Sequence, residues 1–175
     1  MIPTFRSGRR PAALALLLVT AAAATAACGD DDDDATGPSA TVFAATLAGA
    51  NERPNPVTTA ASGSATVTVS GQQATYVVNF SGLSATPIGG HIHAPAGPGA
   101  TAPIIVPFPL TGVTSGTGTL TGTITAANIQ VAAGQTAAVS FDSLVTLMRT
   151  GNAYVNLHTP TNQPGEIRGQ LAVRP

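Results

Sequence analysis

The sequence predicts an all-β domain, a Greek-key β-sandwich or flattened barrel carrying one short helix at about 141–149. Apolar and polar residues alternate with a period of two in several short runs, as in strands with one buried face. Gly, Pro, Asn and Ser separate these runs often enough to turn the chain after almost every one. A single segment shows the helical period instead.

The first strand is expected at 41–47. The second, at 64–69, places Ala65, Val67 and Val69 on one face and threonines on the other. Gly71-Gln72 suits a tight hairpin turn into a third strand at 74–80. A short strand at 90–93 follows. The run 104–106 is hemmed by Pro103, Pro107 and Pro109, which fits an edge or a bulged segment. Alternation resumes at 118–124, and a helical turn is expected near 125–130. Phe141, Leu144, Val145 and Met148 then fall at i, i+3, i+4 and i+7, one face of a helix that Ser140 or Asp142 would cap and Gly151 would end. Strands at 154–158 and 166–173 close the domain.

The first forty residues have a different character. Arg6, Arg9 and Arg10 precede an apolar run at 12–19 and a small-residue stretch at 20–27. The apolar run falls short of the ~20 residues that span a bilayer. A basic start, a short apolar core and a small-residue cleavage zone mark residues 1–27 as a signal peptide. Thr25-Ala26-Ala27-Cys28 resembles a bacterial lipobox, with Thr25 where Leu is usual. That resemblance implies lipidation of Cys28 and anchoring to a membrane. Ordinary cleavage would instead leave Cys28 as a free thiol. Cys28 is the only cysteine, so no disulfide within the chain accounts for it. The run Asp30 to Asp34 repels itself into an extended spacer, so 28–39 reads as an acidic tether. No Gly or Glu stands at the spacing of a calcium loop. Residues 40–175 then form a domain exported to the cell envelope, at the outer membrane or cell surface.

Charge excludes some functions for that domain. Four arginines (Arg53, Arg149, Arg168, Arg174) face three carboxylates (Glu52, Asp142, Glu166), and the chain has no lysine. Binding to nucleic acid needs a dense basic patch, which is missing. The domain has no cysteine, no Gly-x-Ser-x-Gly elbow and few carboxylates to pair, so a catalytic role is not expected.

The informative residues lie in three motifs. In Gly89-Gly90-His91-Ile92-His93, strand parity sends His91 and His93 one way and Ile92 into the core. In Tyr154-Val155-Asn156-Leu157-His158, Val155 and Leu157 face the core, and Tyr154, Asn156 and His158 face away. In Glu166-Ile167-Arg168-Gly169-Gln170, Glu166 and Arg168 share the non-core side. If these strands are neighbours, His91, His93, Tyr154, Asn156, His158, Glu166 and Arg168 form one polar patch. Asn51-Glu52-Arg53-Pro54 reads as a loop turn from which Glu52 is expected to fold back onto that patch. Imidazoles suit copper and zinc, so His91, His93 and His158 are candidate metal ligands, with a carboxylate completing the set. A network of hydrogen bonds among the same groups is the alternative.

These motifs, with Leu47-Ala48-Gly49-Ala50-Asn51-Glu52-Arg53-Pro54, resemble the CHRD domain, the chordin-type module, from about Phe43 to Leu171. The resemblance implies an extracellular β-sandwich. His91-Ile92-His93 is also similar to the His-Val-His of copper/zinc superoxide dismutases, whose further ligand histidines and disulfide have no counterpart in this chain. The expected function is a non-enzymatic binding or adhesive module that meets an envelope or extracellular protein or glycan. The alternative is a copper- or zinc-binding domain, redox-active if the metal is copper.

Overall fold

The computed structural model describes residues 40–174. The expected signal peptide, Cys28 and the acidic tether lie outside the described residues. Nine strands form one antiparallel sheet: β1 (Thr41–Ala48), β2 (Ser62–Ser70), β3 (Gln73–Ser81), β4 (Gly89–His93), β5 (Ile104–Pro107), β6 (Gly118–Ile124), β7 (Tyr154–His158), β8 (Ile167–Gln170) and β9 (Ala172–Val173). Their order is β5-β4-β7-β8-β1-β2-β3-β6, with β9 also pairing β1. A single continuous sheet makes this the barrel form of the predicted architecture. The chain leaves β3 for β4, five positions away past β2, β1, β8 and β7, and later returns to set β6 against β3, a Greek-key path.

The barrel nearly closes between β5 and β6. Gln130 N–H donates to Ile105 O at 2.9 Å, and Phe108 stacks on Tyr76 of β3 with ring centroids 4.3 Å apart. The core holds Phe43, Leu47, Val67, Val78, Ile92, Ile124, Val155, Leu157, Ile167 and Leu171. The helix α1 (Phe141–Arg149) adds Phe141, Leu144 and Met148 to it. Ser140 caps α1 by accepting from Ser143 N, and Gly151 takes a left-handed φ of 69° just past its end. The helical turn expected near 125–130 is a 3-10 turn at Ala126–Asn128.

The two halves of the sheet treat their outer faces differently. Along β3, Ala74, Tyr76, Val78 and Phe80 are buried and the residues between them exposed. That alternation is the mark of a strand with one face in water. In β4, β7 and β8 no residue is exposed on either face. There the segments 49–61, 94–103 and 159–166 lie over the outer side, and the polar residues of the three motifs are trapped beneath them.

Candidate functional site

The register sets the geometry. On β4 and β7, His91 lies opposite Asn156, His93 opposite Tyr154, and Gly89 opposite His158. On β7 and β8, Asn156 lies opposite Arg168 and Tyr154 opposite Gln170. Every one of these side chains stands on the side away from the core, as strand parity predicts.

The three imidazoles meet although His158 is not directly opposite either of the others. Gly89 makes this possible. A Cβ there would stand 2.8 Å from Cε1 of His91 and 3.4 Å from Cδ2 of His158. With no side chain at Gly89, the His91 ring leans into that space and packs edge-on against His158, centroids 4.9 Å apart. His93 completes the group at 5.5 Å from His91 and 5.8 Å from His158. One nitrogen from each ring lies within 4.8 Å of the other two.

Backbone carbonyls fix two of the rings. His93 Nδ1 lies 2.9 Å from Ala102 O, and His158 Nδ1 lies 2.8 Å from Gln163 O. A carbonyl oxygen only accepts, so each Nδ1 carries the proton and each Nε2 presents a lone pair. Those two Nε2 atoms, together with Nδ1 of His91, are buried without a hydrogen-bond partner. Burial pushes His91 and His93 down to about 4, and repulsion from His158 adds to the effect on both. Burial lowers His158 as well, partly offset by its bond to Gln163 O. All three are neutral at pH 7, the state that binds a metal.

Behind the histidines runs a stack. The Tyr154 ring lies parallel to His93 with centroids 4.8 Å apart, and the guanidinium of Arg168 sits 3.5 Å above the Tyr154 ring. The Tyr154 hydroxyl accepts from Ala102 N at 3.1 Å and so ties the stack to the segment that holds His93. Arg168 is 2 % exposed and donates to Gly97 O at 3.1 Å.

The carboxylates are arranged differently from the expectation. Glu166 does not join the histidines or Arg168. Its Oε1 accepts from Thr59 Oγ1 (2.8 Å) and Ser84 N (2.9 Å), and its Oε2 from Ser84 Oγ (2.6 Å) and Thr159 Oγ1 (2.7 Å). Burial pushes this carboxyl up, but the four bonds outweigh it and hold the group at about 2. Glu166 therefore staples three loops together as a permanent anion.

The carboxylate beside the patch is Glu52, which accepts from Asn156 Nδ2 at 3.2 Å. Burial raises it to about 7, against the pull of Arg168. Gly165 closes over this pair. A Cβ there would be 2.6 Å from both amide atoms of Asn156 and 2.7 Å from Oε2 of Glu52. Glu52 thus folds back from the 51–54 turn onto the patch, as expected. The Gly89-Gly90 doublet before His91 was the one legible hint of the space the rings occupy.

A family model for the CHRD domain matches residues 43–171. No curated protein and no solved structure matches the chain. Membership is consistent with a non-enzymatic module. The matched span holds β2 to β8, all of β1 but its first two residues and all of the histidine site, and on that extent the chain belongs to the CHRD domain family.

Proposed function

We propose that this domain is an exported, non-enzymatic binding module that holds one copper or zinc ion on His91, His93 and His158. The observation that carries this is the pattern of unpaired buried groups. Among the described residues, five buried side-chain atoms lack a partner: Nδ1 of His91, Nε2 of His93 and of His158, Oδ1 of Asn156 and Oε1 of Glu52. Three are imidazole nitrogens, one on each ring of a cluster in which a nitrogen of every ring lies within 4.8 Å of the other two. Each such atom costs ~1–3 kcal/mol when left unsatisfied, and a bound ion would remove that cost for all three nitrogens.

The residues fit such an ion. Tetrahedral zinc holds nitrogens at about 2.0–2.1 Å, which places them about 3.3 Å apart. The present separations, up to 4.8 Å, put a central ion about 2.8 Å from each nitrogen, so the rings have to close by less than about 1 Å apiece. The carbonyl bonds of His93 and His158 are the outer partners that orient metal-bound imidazoles.

Metal analysis of protein purified without an affinity tag tests the reading. One equivalent of copper or zinc is expected, as isolated or after reconstitution, and none in a His93→Ala, His158→Ala double variant. Failure to bind either metal stoichiometrically ends the reading. The signal-like segment, Cys28 and the aspartate run support export and a lipid anchor at the membrane. A Cys28→Ser variant should then leave the detergent phase for the aqueous phase, and unchanged partition would contradict the anchor.

A second surface favours an adhesive role. Thr75, Asn79, Thr119 and Thr121 surround the exposed Val77 on the outer face of β3 and β6, which carries no charge. Such a face suits a glycan or an extracellular protein, and absence of binding to isolated envelope polysaccharide and envelope protein would remove this reading.

A further inference from the structure

We infer that the three-histidine centre leaves its ion one coordination position that no described side chain fills and that a small anion takes. The inference rests on the metal reading above and adds to it a second, exchangeable ligand.

The donor count comes first. Zinc and copper(II) bound by three imidazoles retain room for a fourth ligand. Among the described residues, no carboxylate or thiolate joins the three histidines. Glu166 has both oxygens committed to Thr59, Ser84 and Thr159. Glu52 is turned to Asn156, and the Tyr154 hydroxyl is engaged with Ala102. Among the described residues, no side chain is therefore grouped with the histidines as a fourth ligand.

Access comes second. His93 is 7 % exposed and lies beneath the 94–103 segment, whereas His91 and His158 are only half-buried. The unpaired nitrogens of all three rings are themselves buried, so an incoming ligand has to pass the partly exposed rings of His91 and His158 and not His93.

Charge decides the chemical class. The three donors are neutral, so they leave the full charge of a divalent ion uncompensated. Partial burial makes that charge more costly than it would be in water. The Arg168 guanidinium, two rings away through Tyr154 and His93, adds positive potential on the His93 side. A hydroxide or another small monoanion relieves this, and a neutral ligand does not.

Cobalt(II) in place of the native metal reads the fourth position through its visible spectrum. Tag-free mature protein carrying one cobalt would be titrated with sodium azide in chloride-free buffer. A saturable spectral shift with one azide per cobalt is expected, and azide should bind more weakly as pH rises because hydroxide competes for the same position. Stoichiometric cobalt with a spectrum indifferent to azide would overturn the open position while leaving the three-histidine site intact. Failure to bind cobalt, zinc or copper would overturn both.

Discussion

Replacing Glu166 by Gln keeps the shape of the side chain and removes its charge. Glu166 is fully buried and its carboxylate accepts four hydrogen bonds, two on each oxygen. An amide keeps one acceptor oxygen and turns an NH2 group toward donors. The hydroxyls of Thr59, Ser84 and Thr159 can rotate to accept, and the Ser84 N–H cannot. The magnitude follows from the titration. This group sits at about 2 in the folded protein against an ordinary 4.5. At about 1.4 kcal/mol per pH unit, the preference for the ionised form is on the order of 3 kcal/mol. A depressed folded-state value means that this stabilisation is complete above pH 4.5 and is lost as pH falls from there toward 2. The chain has no Trp, so urea unfolding would be followed by circular dichroism. At pH 7 the Glu166→Gln variant should be less stable by on the order of 3 kcal/mol, and the gap should close toward pH 2. An equal gap at both pH values would show that packing matters instead of charge. No gap at pH 7 would refute the loop-staple role altogether.

Two further outcomes bear on the histidines. Gly89→Ala places a Cβ 2.8 Å from the far end of the His91 ring, which can swing outward, and Gly89 has no left-handed φ to strain. Apo stability should change by less than ~1 kcal/mol, while zinc affinity drops by about 10–100-fold in competition with a chelator. Intact affinity would mean that His91 is not a ligand. Protons compete with metal for the same nitrogens, and His91 and His93 gain theirs only near about 4. Affinity measured against pH should therefore be lost at lower pH than for ordinary imidazoles, which begin to release metal near pH 6.5, with the loss completed toward about 4.

Local periodicity made much of this molecule legible. The alternation at Ala65, Val67 and Val69, the Gly71-Gln72 turn and the Phe141–Leu144–Met148 face all report contacts that a residue makes through its own strand or helix. Parity likewise put His91, His93 and His158 on the outer side, because Ile92 and Leu157 had to face inward. Long-range facts were hidden. Glu52 folds back onto the patch as its loop turn suggested, but its partner Asn156, more than a hundred positions later, could not be named because no period governs a loop. Parity also grouped Glu166 with Arg168, yet Glu166 just precedes β8 and is claimed by Thr159 of its own loop and by Thr59 and Ser84 of two others. Closure of the sheet between β5 and β6 depends on Phe108 meeting Tyr76, a contact between proline-flanked and threonine-rich stretches that share no pattern.

X-ray absorption at the zinc or copper edge of the metal-loaded, tag-free protein tests the central claim most directly, because it counts the ligands. Three imidazoles should appear, with nitrogens at about 2.0–2.1 Å in the zinc form and outer-ring scattering to match, plus one light-atom ligand. A shell dominated by carboxylate oxygens, or one without scattering from three rings, would contradict a centre built on His91, His93 and His158.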